Sequence, residues 1–300
     1  MLLSEATVAI VGLGLMGGSL GKALVHTGAS KEVRALGRRA DFARTAKAHG
    51  AAHVAGVDPQ EILGDADLVV FATPVRTIEH QIRELHPFMK TGAVVTDMGS
   101  VKGPIVEAME QLPLEIAAVA GHPMCGKEVS GLEVADATLF EGKTWAVVPT
   151  KNTNSRAMNL VTQLVTTTGA RMVLMSPEDH DESVAGASHL PYLLASTLVS
   201  VAEALGRDQP GVWELASSGF RDTSRVAGGD LTMMLDIIAS NSTNIVRALG
   251  QAQQHMSALI ELIANQDEEG LRKLLSKARE RRIGMFTDHC QTLPGMDSHE

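Results

Sequence analysis

A short apolar run that stops on glycine constrains the fold of this chain more than any other feature. Val8-Ala9-Ile10-Val11 leads directly into Gly12-Leu13-Gly14-Leu15-Met16-Gly17, and a helix pattern follows from Gly17 to about His26. Strand, tight glycine turn and helix in that order open a βαβ unit. The glycines allow the turn and let the backbone approach a pyrophosphate, whose charge is favoured at a helix N-terminus. The G-x-G-x-x-G pattern is weak by itself. Its place between a strand and a helix favours dinucleotide binding over an ordinary glycine-rich turn, with Gly12, Gly14, Leu15, Met16 and Gly17 as cofactor contacts.

The next 160 residues alternate strand and helix signals, which predicts a parallel sheet. Strands read at Val33–Leu36, Leu68–Phe71, Ala93–Thr96, Ile116–Val119, Trp145–Val148 and Arg171–Leu174. Helices read between them at Thr77–Met89, Val101–Gln111 and Ser155–Thr167. After Ser176-Pro177 the strand signals vanish. Leu235, Ile238, Ile245, Leu249, Ala252, Met256, Leu259 and Ile263 recur at helical steps and build an apolar stripe. The expected architecture is α/β: a Rossmann-type doubly wound parallel sheet over residues 1–176, then an all-α helical dimerisation domain over 177–300. A homodimer through those helices is the expected assembly, and the tail Thr292–Glu300 reads as poorly ordered.

A net charge of −9 argues against nucleic-acid and membrane-surface partners. Cys125 and Cys290 provide neither a disulfide framework nor metal-ligand spacing. No metal site is expected. The first residues lack signal-peptide character, and no apolar run approaches the roughly 20 residues that span a bilayer. A cytoplasmic protein is expected.

Cofactor choice is read from the turn after the second strand. An acidic residue there would bind a ribose 2′-hydroxyl. This chain has Gly37 followed by Arg38 and Arg39, two guanidiniums suited to a 2′-phosphate. The expectation is NADP over NAD, against the alternative that the arginines cap a solvated turn. Thr73 and Pro74, after the Leu68–Phe71 strand, are placed by position near the ribose or nicotinamide.

His122 ends another apolar strand and is followed by Pro123 and a glycine-rich loop. Open α/β sheets carry their chemistry at strand carboxyl ends. An imidazole there is able to accept a hydroxyl proton while the same carbon loses hydride. Taken alone, a structural loop histidine fits as well. Ser100 lies at the end of the preceding strand, able to hydrogen-bond that hydroxyl or to cap the next helix.

The segment Gly121-His122-Pro123-Met124-Cys125-Gly126 resembles the prephenate and arogenate dehydrogenases of tyrosine biosynthesis. So do Asp97-Met98-Gly99-Ser100-Val101-Lys102, Asp179-His180-Asp181, Ser188-His189-Leu190-Pro191 and Gly219-Phe220-Arg221-Asp222-Thr223-Ser224-Arg225. The resemblance implies hydride transfer from C4 of a cyclohexadienyl ring to the nicotinamide, with loss of the C1 carboxylate. It implies His122 and Ser100 as catalytic residues and Arg225 as a ligand of the small dicarboxylate substrate. His189, Tyr192, Lys127 and Glu128 are the further candidates for substrate contact. His180 reads as a helix histidine packed against the other domain.

One departure concerns Tyr192, which stands where the family's bacterial prephenate enzymes often have a second histidine. A phenol donates a hydrogen bond but carries no positive charge at neutral pH. Together with the expected NADP preference, that tilts the expectation slightly toward arogenate; 4-amino-4-deoxyprephenate is a related possibility. No appended chorismate mutase or ACT domain is expected, and tyrosine feedback, if any, is expected to act at the active site. Two rivals remain. A β-hydroxyacid dehydrogenase shares the Gly-Leu-Gly-x-Met-Gly opening, yet no helix lysine in a glycine-rich context occurs between residues 151 and 200. A non-catalytic NADP-binding module would keep the fold without the turnover.

Overall fold

The computed structural model describes residues 1–39, 42–127 and 129–290. The candidate Glu128 and the tail Thr292–Glu300 lie outside the described residues. The chain divides into two compact units, Met1–Ile245 and Val246–Glu300.

The first unit opens with β1 (Thr7–Val11), α1 (Leu15–Thr27), β2 (Glu32–Leu36), α2 (Phe42–Ala48) and β3 (Val54–Gly56). It continues through α3 (Pro59–Leu63), β4 (Leu68–Phe71), α4 (Val75–Leu85), β5 (Val94–Asp97) and α5 (Gly103–Glu110). Then come β6 (Ala117–Pro123), β7 (Thr144–Pro149), α6 (Ser155–Thr167) and β8 (Arg171–Leu174). The strands form one sheet in the order β3-β2-β1-β4-β5-β6-β7-β8. The first six are parallel, while β7 runs antiparallel to β6 and parallel to β8. Strand β3 is a three-residue edge strand, too short to leave a periodic signal in the sequence.

Alternate residues of the central strands enter opposite cores. Val8 and Ile10 pack with Leu20 and Leu24 of α1 and Leu160 and Leu164 of α6. Ala9 and Val11 join Ile78 and Ile82 of α4, Ile105 and Met109 of α5, and Met234 and Ile237 from further along the chain. Burial on both faces explains why these strands read as continuous apolar runs.

Beyond β8 every described element is helical. Helix α7 (Pro177–Val184) passes through a π-turn (Ala185–His189) into α8 (Leu190–Asp208). Pro191 cannot donate a helix hydrogen bond, and the wide turn before it absorbs that break. The short helices α9 (Gly211–Glu214) and α10 (Ser218–Ser224), a 3₁₀ turn (Arg225–Gly228) and α11 (Leu231–Ser240) follow. Helix α12 (Ser242–Ala264) begins in the first unit. The second unit contains the rest of α12 and α13 (Glu268–Cys290), joined by a turn in which Gly270 N–H bonds Asp267 Oδ1.

The helix running from Pro177 to Asp208 is long and apolar enough, by length and composition, to cross a membrane, contrary to the expectation that no segment is. It also carries buried His180, Asp181 and His189, all hydrogen-bonded within the protein. Ionisable residues are rare and costly inside a spanning segment. Along the apolar stripe, Ile245 is buried, whereas Leu235, Leu249, Met256 and Ile263 stay exposed on the single chain.

Helix α1 touches β1 so closely that a Cβ on Gly17 would overlap the Gly12 carbonyl. Gly17→Ala must push the helix off the strand, at a cost of about 1–3 kcal/mol. Thermal unfolding should show a Tm lower by roughly 2 °C or more. An unchanged Tm would mean that the turn is looser than described.

Candidate active site

The carboxyl ends of β1 and β4 lie side by side where the strand order reverses, the crevice in which open α/β sheets bind ligands. Gly12 has a φ of 91°, and its position is pressed against Thr73 from the loop after β4. Beside Gly14, by contrast, nothing lies within 4 Å of the Cβ position. The first glycine therefore makes the turn, the second leaves space for close approach, and the third seats the helix.

Three helices present their N-termini near this edge. The amide of Arg76 in α4 donates to Asp236 Oδ2 of α11 at 3.0 Å. At α5, Lys102 N–H and Gly103 N–H donate to the two oxygens of Asp181, at 2.7 and 2.8 Å. Carboxylates from the helical region thus occupy two anion-attracting helix ends. Helix α1 receives no side-chain cap. Its end, with the open face of Gly14, has the shape and polarity that a pyrophosphate requires. Leu15 and Met16 are half-buried in its first turn, and Pro74 is exposed at the start of α4.

Strand β6 delivers His122, which is 8% exposed. Its Nδ1 lies 2.9 Å from His180 Nε2, and His180 Nδ1 lies 2.7 Å from Asp181 Oδ1. A carboxylate only accepts, so His180 Nδ1 carries a proton. With both rings neutral, His180 Nε2 must accept, His122 Nδ1 must donate, and the lone pair of His122 sits on Nε2. Among the described residues, no protein group bonds that nitrogen. Burial pushes the His122 pKa well below the usual imidazole value, and a proton on His122 would add a like charge beside His180, Lys102 and His189. The ring is held as a neutral base.

Under His122 lies a fully buried ion pair between Lys102 Nζ and Asp97 Oδ2. Asp97 accepts Gly99 N–H at 2.7 Å and Gly121 N–H at 2.9 Å, while Lys102 Nζ donates to the Gly121 carbonyl at 2.6 Å. Register pairing between β5 and β6 ends at Val95↔Ala118, and these side chains take over the bridging beyond it. The pair thereby fixes the residue before Ser100 and the residue before His122. Burial lowers the Lys102 pKa, with Asp97 opposing it.

His189, at the end of the π-turn, is 1% exposed, and its Nδ1 lies 3.3 Å from Asn241 Nδ2. Its pKa falls to about 4, first through burial and then through His180, with Asp181 acting in the opposite sense. Asp181 itself is pushed up by burial. Its bonds from His180, Lys102 N–H and Gly103 N–H outweigh that and leave its pKa lowered.

The remaining candidates are distributed around this cluster. Ser100 is half-buried, and helix α5 starts at Gly103 with Asp181 as its cap, so the capping role considered for Ser100 falls away. Tyr192 packs into the second core, 3.7 Å from a Cβ position on Gly229 at the end of the turn that Arg225 begins. Arg225 is exposed. Lys127 is taken up by its own loop, donating to the Val134 carbonyl at 3.1 Å and pairing with Asp136 at 3.5 Å. Arg221 and Asp222 form an exposed surface pair. Burial raises the Cys125 thiol to about 11, which leaves it inert. The described residues contain no cluster fit to hold a metal.

His180, Asp181, Asn241, Asp97 and Lys102 carry no role in the sequence-based site. The sequence suggests a His180 packed against the other domain, yet in the structure it bonds the candidate base directly. The Asp179-His180-Asp181 motif was the available signal; Asn241 left none.

Residues 20–174 match the family model of the prephenate dehydrogenase nucleotide-binding domain, and residues 176–277 match that of its dimerization domain. The chain belongs to the prephenate/arogenate dehydrogenase family. Prephenate dehydrogenase of A. aeolicus, solved with hydroxyphenyl propionate and NAD+, superposes with a TM-score of 0.86 at 31% identity, over 94% of this chain and 99% of that one. Synechocystis arogenate dehydrogenase gives a TM-score of 0.80 at 29% identity, covering 93% and 99%. Prephenate dehydrogenase of Bacillus subtilis (strain 168) is 29% identical, covering 93% of this chain and 76% of its own length.

This chain is therefore an NAD(P)-dependent oxidoreductase of the prephenate/arogenate dehydrogenase type, acting on a small dicarboxylate cyclohexadienyl substrate. The matched dimerization domain supports the homodimer, and the exposed stripe is the kind of face a second copy covers. The NADP expectation is corrected, because the A. aeolicus complex contains NAD+. Arg38 and Arg39 are exposed on the turn after β2. Gly37 is explained by packing, since a Cβ there would overlap the Phe42 ring.

His122 and His189 are both neutral in the fold, with pKa values below the roughly 6.5 of an unfolded chain. Between those values the unfolded state binds more protons, so stability rises with pH. Unfolding scans should show a lower Tm at pH 5 than at pH 7, with a smaller difference in a His122→Asn, His189→Gln double variant. A Tm that is flat or higher at pH 5 would refute the neutral assignment.

Proposed function

We propose that this enzyme oxidises prephenate with NAD, and that His122 Nε2 is its general base. The observation that carries this reading is the Asp181–His180–His122 chain, which leaves a buried imidazole neutral with its lone pair on the outward nitrogen. As C4 of the ring releases hydride, His122 Nε2 takes the C4 hydroxyl proton. The C1 carboxylate then leaves as CO₂, and its bonding electrons pass through the ring to the C4 oxygen. That phenolate recovers the proton held by His122, so the imidazole is neutral again for the next turnover. The bound nicotinamide supplies the hydride acceptor. Gly12, Gly14, Leu15, Met16 and Gly17 would hold its pyrophosphate, with Thr73 and Pro74 alongside.

Ser100 orients the C4 hydroxyl toward the base. Arg225 binds a substrate carboxylate, and Tyr192, which lies against the end of the Arg225 turn, contacts the side chain. His189 supplies a hydrogen bond within the same pocket. Prephenate replaces the tilt toward arogenate because that tilt leaned partly on NADP. Relatives matching over nine-tenths of the chain include prephenate dehydrogenases. A domain boundary at residues 176 and 177 is supported by the end of the last strand at Leu174 and by family models that end at residue 174 and begin at residue 176. A cytoplasmic location suits reduced thiols and a diffusible cofactor.

Initial rates with prephenate and arogenate, each with NAD and NADP, should give the highest kcat/KM for prephenate with NAD. Higher kcat/KM with arogenate would overturn the substrate assignment. His122→Asn should lower kcat by about 100-fold or more while leaving NAD affinity within about twofold. Retained turnover in that variant would remove His122 as the base.

A further inference from the structure

Asn241 stands outside every motif in the sequence, yet it is 4% exposed and uses its amide in three directions. Its Nδ2 donates to the Asp181 carbonyl at 2.7 Å and faces His189 Nδ1 at 3.3 Å. Its Oδ1 accepts Asn244 Nδ2 at 2.9 Å. A carbonyl oxygen only accepts, so the amide nitrogen must be the atom facing Asp181, and the orientation of the side chain is settled by chemistry. The second hydrogen of the same NH₂ then points to His189 Nδ1. An imidazole nitrogen that accepts there leaves its proton on Nε2.

We propose that Asn241 is a positioning residue that holds His189 as a neutral Nε2–H donor next to the base His122. This rests on the reading of His122 given above and adds a division of labour. His122 and His189 are the same chemical group in the same buried site, and the groups facing their Nδ1 atoms set them in opposite tautomers. A histidine chain ending in a carboxylate makes His122 an acceptor at Nε2. A primary amide makes His189 a donor at Nε2.

The titratable groups facing His189 are Asp181 and His180 of α7 and His122 of β6, with Lys102 acting on His122 from below. Asp181 favours a proton on His189; burial and His180 oppose it. The amide tips the balance further, because its N–H cannot face a protonated Nδ1. Neutral His189 also protects the base, since a positive charge on it would depress His122 further.

The test uses the full-length protein with ¹⁵N-labelled histidine, assigning His189 by comparison with His189→Gln. The wild-type His189 signals should be those of a neutral Nε2–H tautomer and should not titrate above pH 5. Asn241→Asp replaces the donor with an acceptor, so His189 should gain a proton on Nδ1. The His189 titration, and with it the acid limb of kcat/KM that His189 sets, should then rise by about one pH unit or more, as an added opposite charge requires. Asn241→Ala should lose about tenfold in kcat/KM, with NAD affinity unchanged.

A wild-type Nδ1–H tautomer would overturn the inference, as would an Asn241→Asp acid limb and His189 signals that match the wild type. If Asn241→Asp does not fold, the wild-type tautomer decides alone. Turnover that survives in His122→Asn would sink the general-base reading without touching the His189 tautomer. A dead His122→Asn with an Nδ1–H His189 would sink only the role of Asn241.

Discussion

The carboxylate of Asp181 is the constraint on which the site depends. It accepts two amides at the start of α5 and one imidazole proton from His180, and its backbone carbonyl accepts Asn241. One residue thereby docks the helical region onto the carboxyl edge of the sheet and sets the proton inventory of the base. The helix dipole and the charge-assisted bonds keep it ionised despite burial. A neutral side chain of the same shape would still fill the space but would no longer dictate which nitrogen of His180 carries hydrogen. Structure and chemistry are joined in a single carboxyl group.

Asp236 repeats half of this arrangement at α4, where it accepts the Arg76 amide. The uncapped start of α1 is the contrasting case. All three helix ends attract negative charge for the same reason, the unpaired amides of their first turns. Two are satisfied from within the chain, and the third, with open space beside Gly14, is suited to the phosphates of a dinucleotide. Cofactor binding and docking of the helical region thus use the same physics at neighbouring positions.

Beneath them, Asp97 and Lys102 act as a buried brace. Such a pair gains little net stability after both charges are desolvated. What it provides is geometry, because four hydrogen bonds converge where the ladder between β5 and β6 has ended. Ser100 and His122 follow the braced residues directly. The Asp-x-x-Ser-x-Lys spacing of residues 97–102 has a mechanical reading in this chain.

The strands, the glycine turn, the change to helices after Ser176 and the family motif around His122 were all legible along the chain. Apolar periodicity and glycine placement are local properties, which neighbouring residues settle among themselves. Beyond that reach lay β3, with three residues and no period, and the reversed direction of β7 and β8. Cofactor selectivity misread from Arg38 and Arg39 shows a related limit, since an exposed charge has no ligand written into it. The tautomers of His122 and His189 are the clearest case. They depend on which acceptor or donor faces each ring, and those partners lie 58 residues away at His180 and 52 residues away at Asn241. Side-chain chemistry was readable one residue at a time; the direction of each hydrogen bond arose only when the fold brought those partners together.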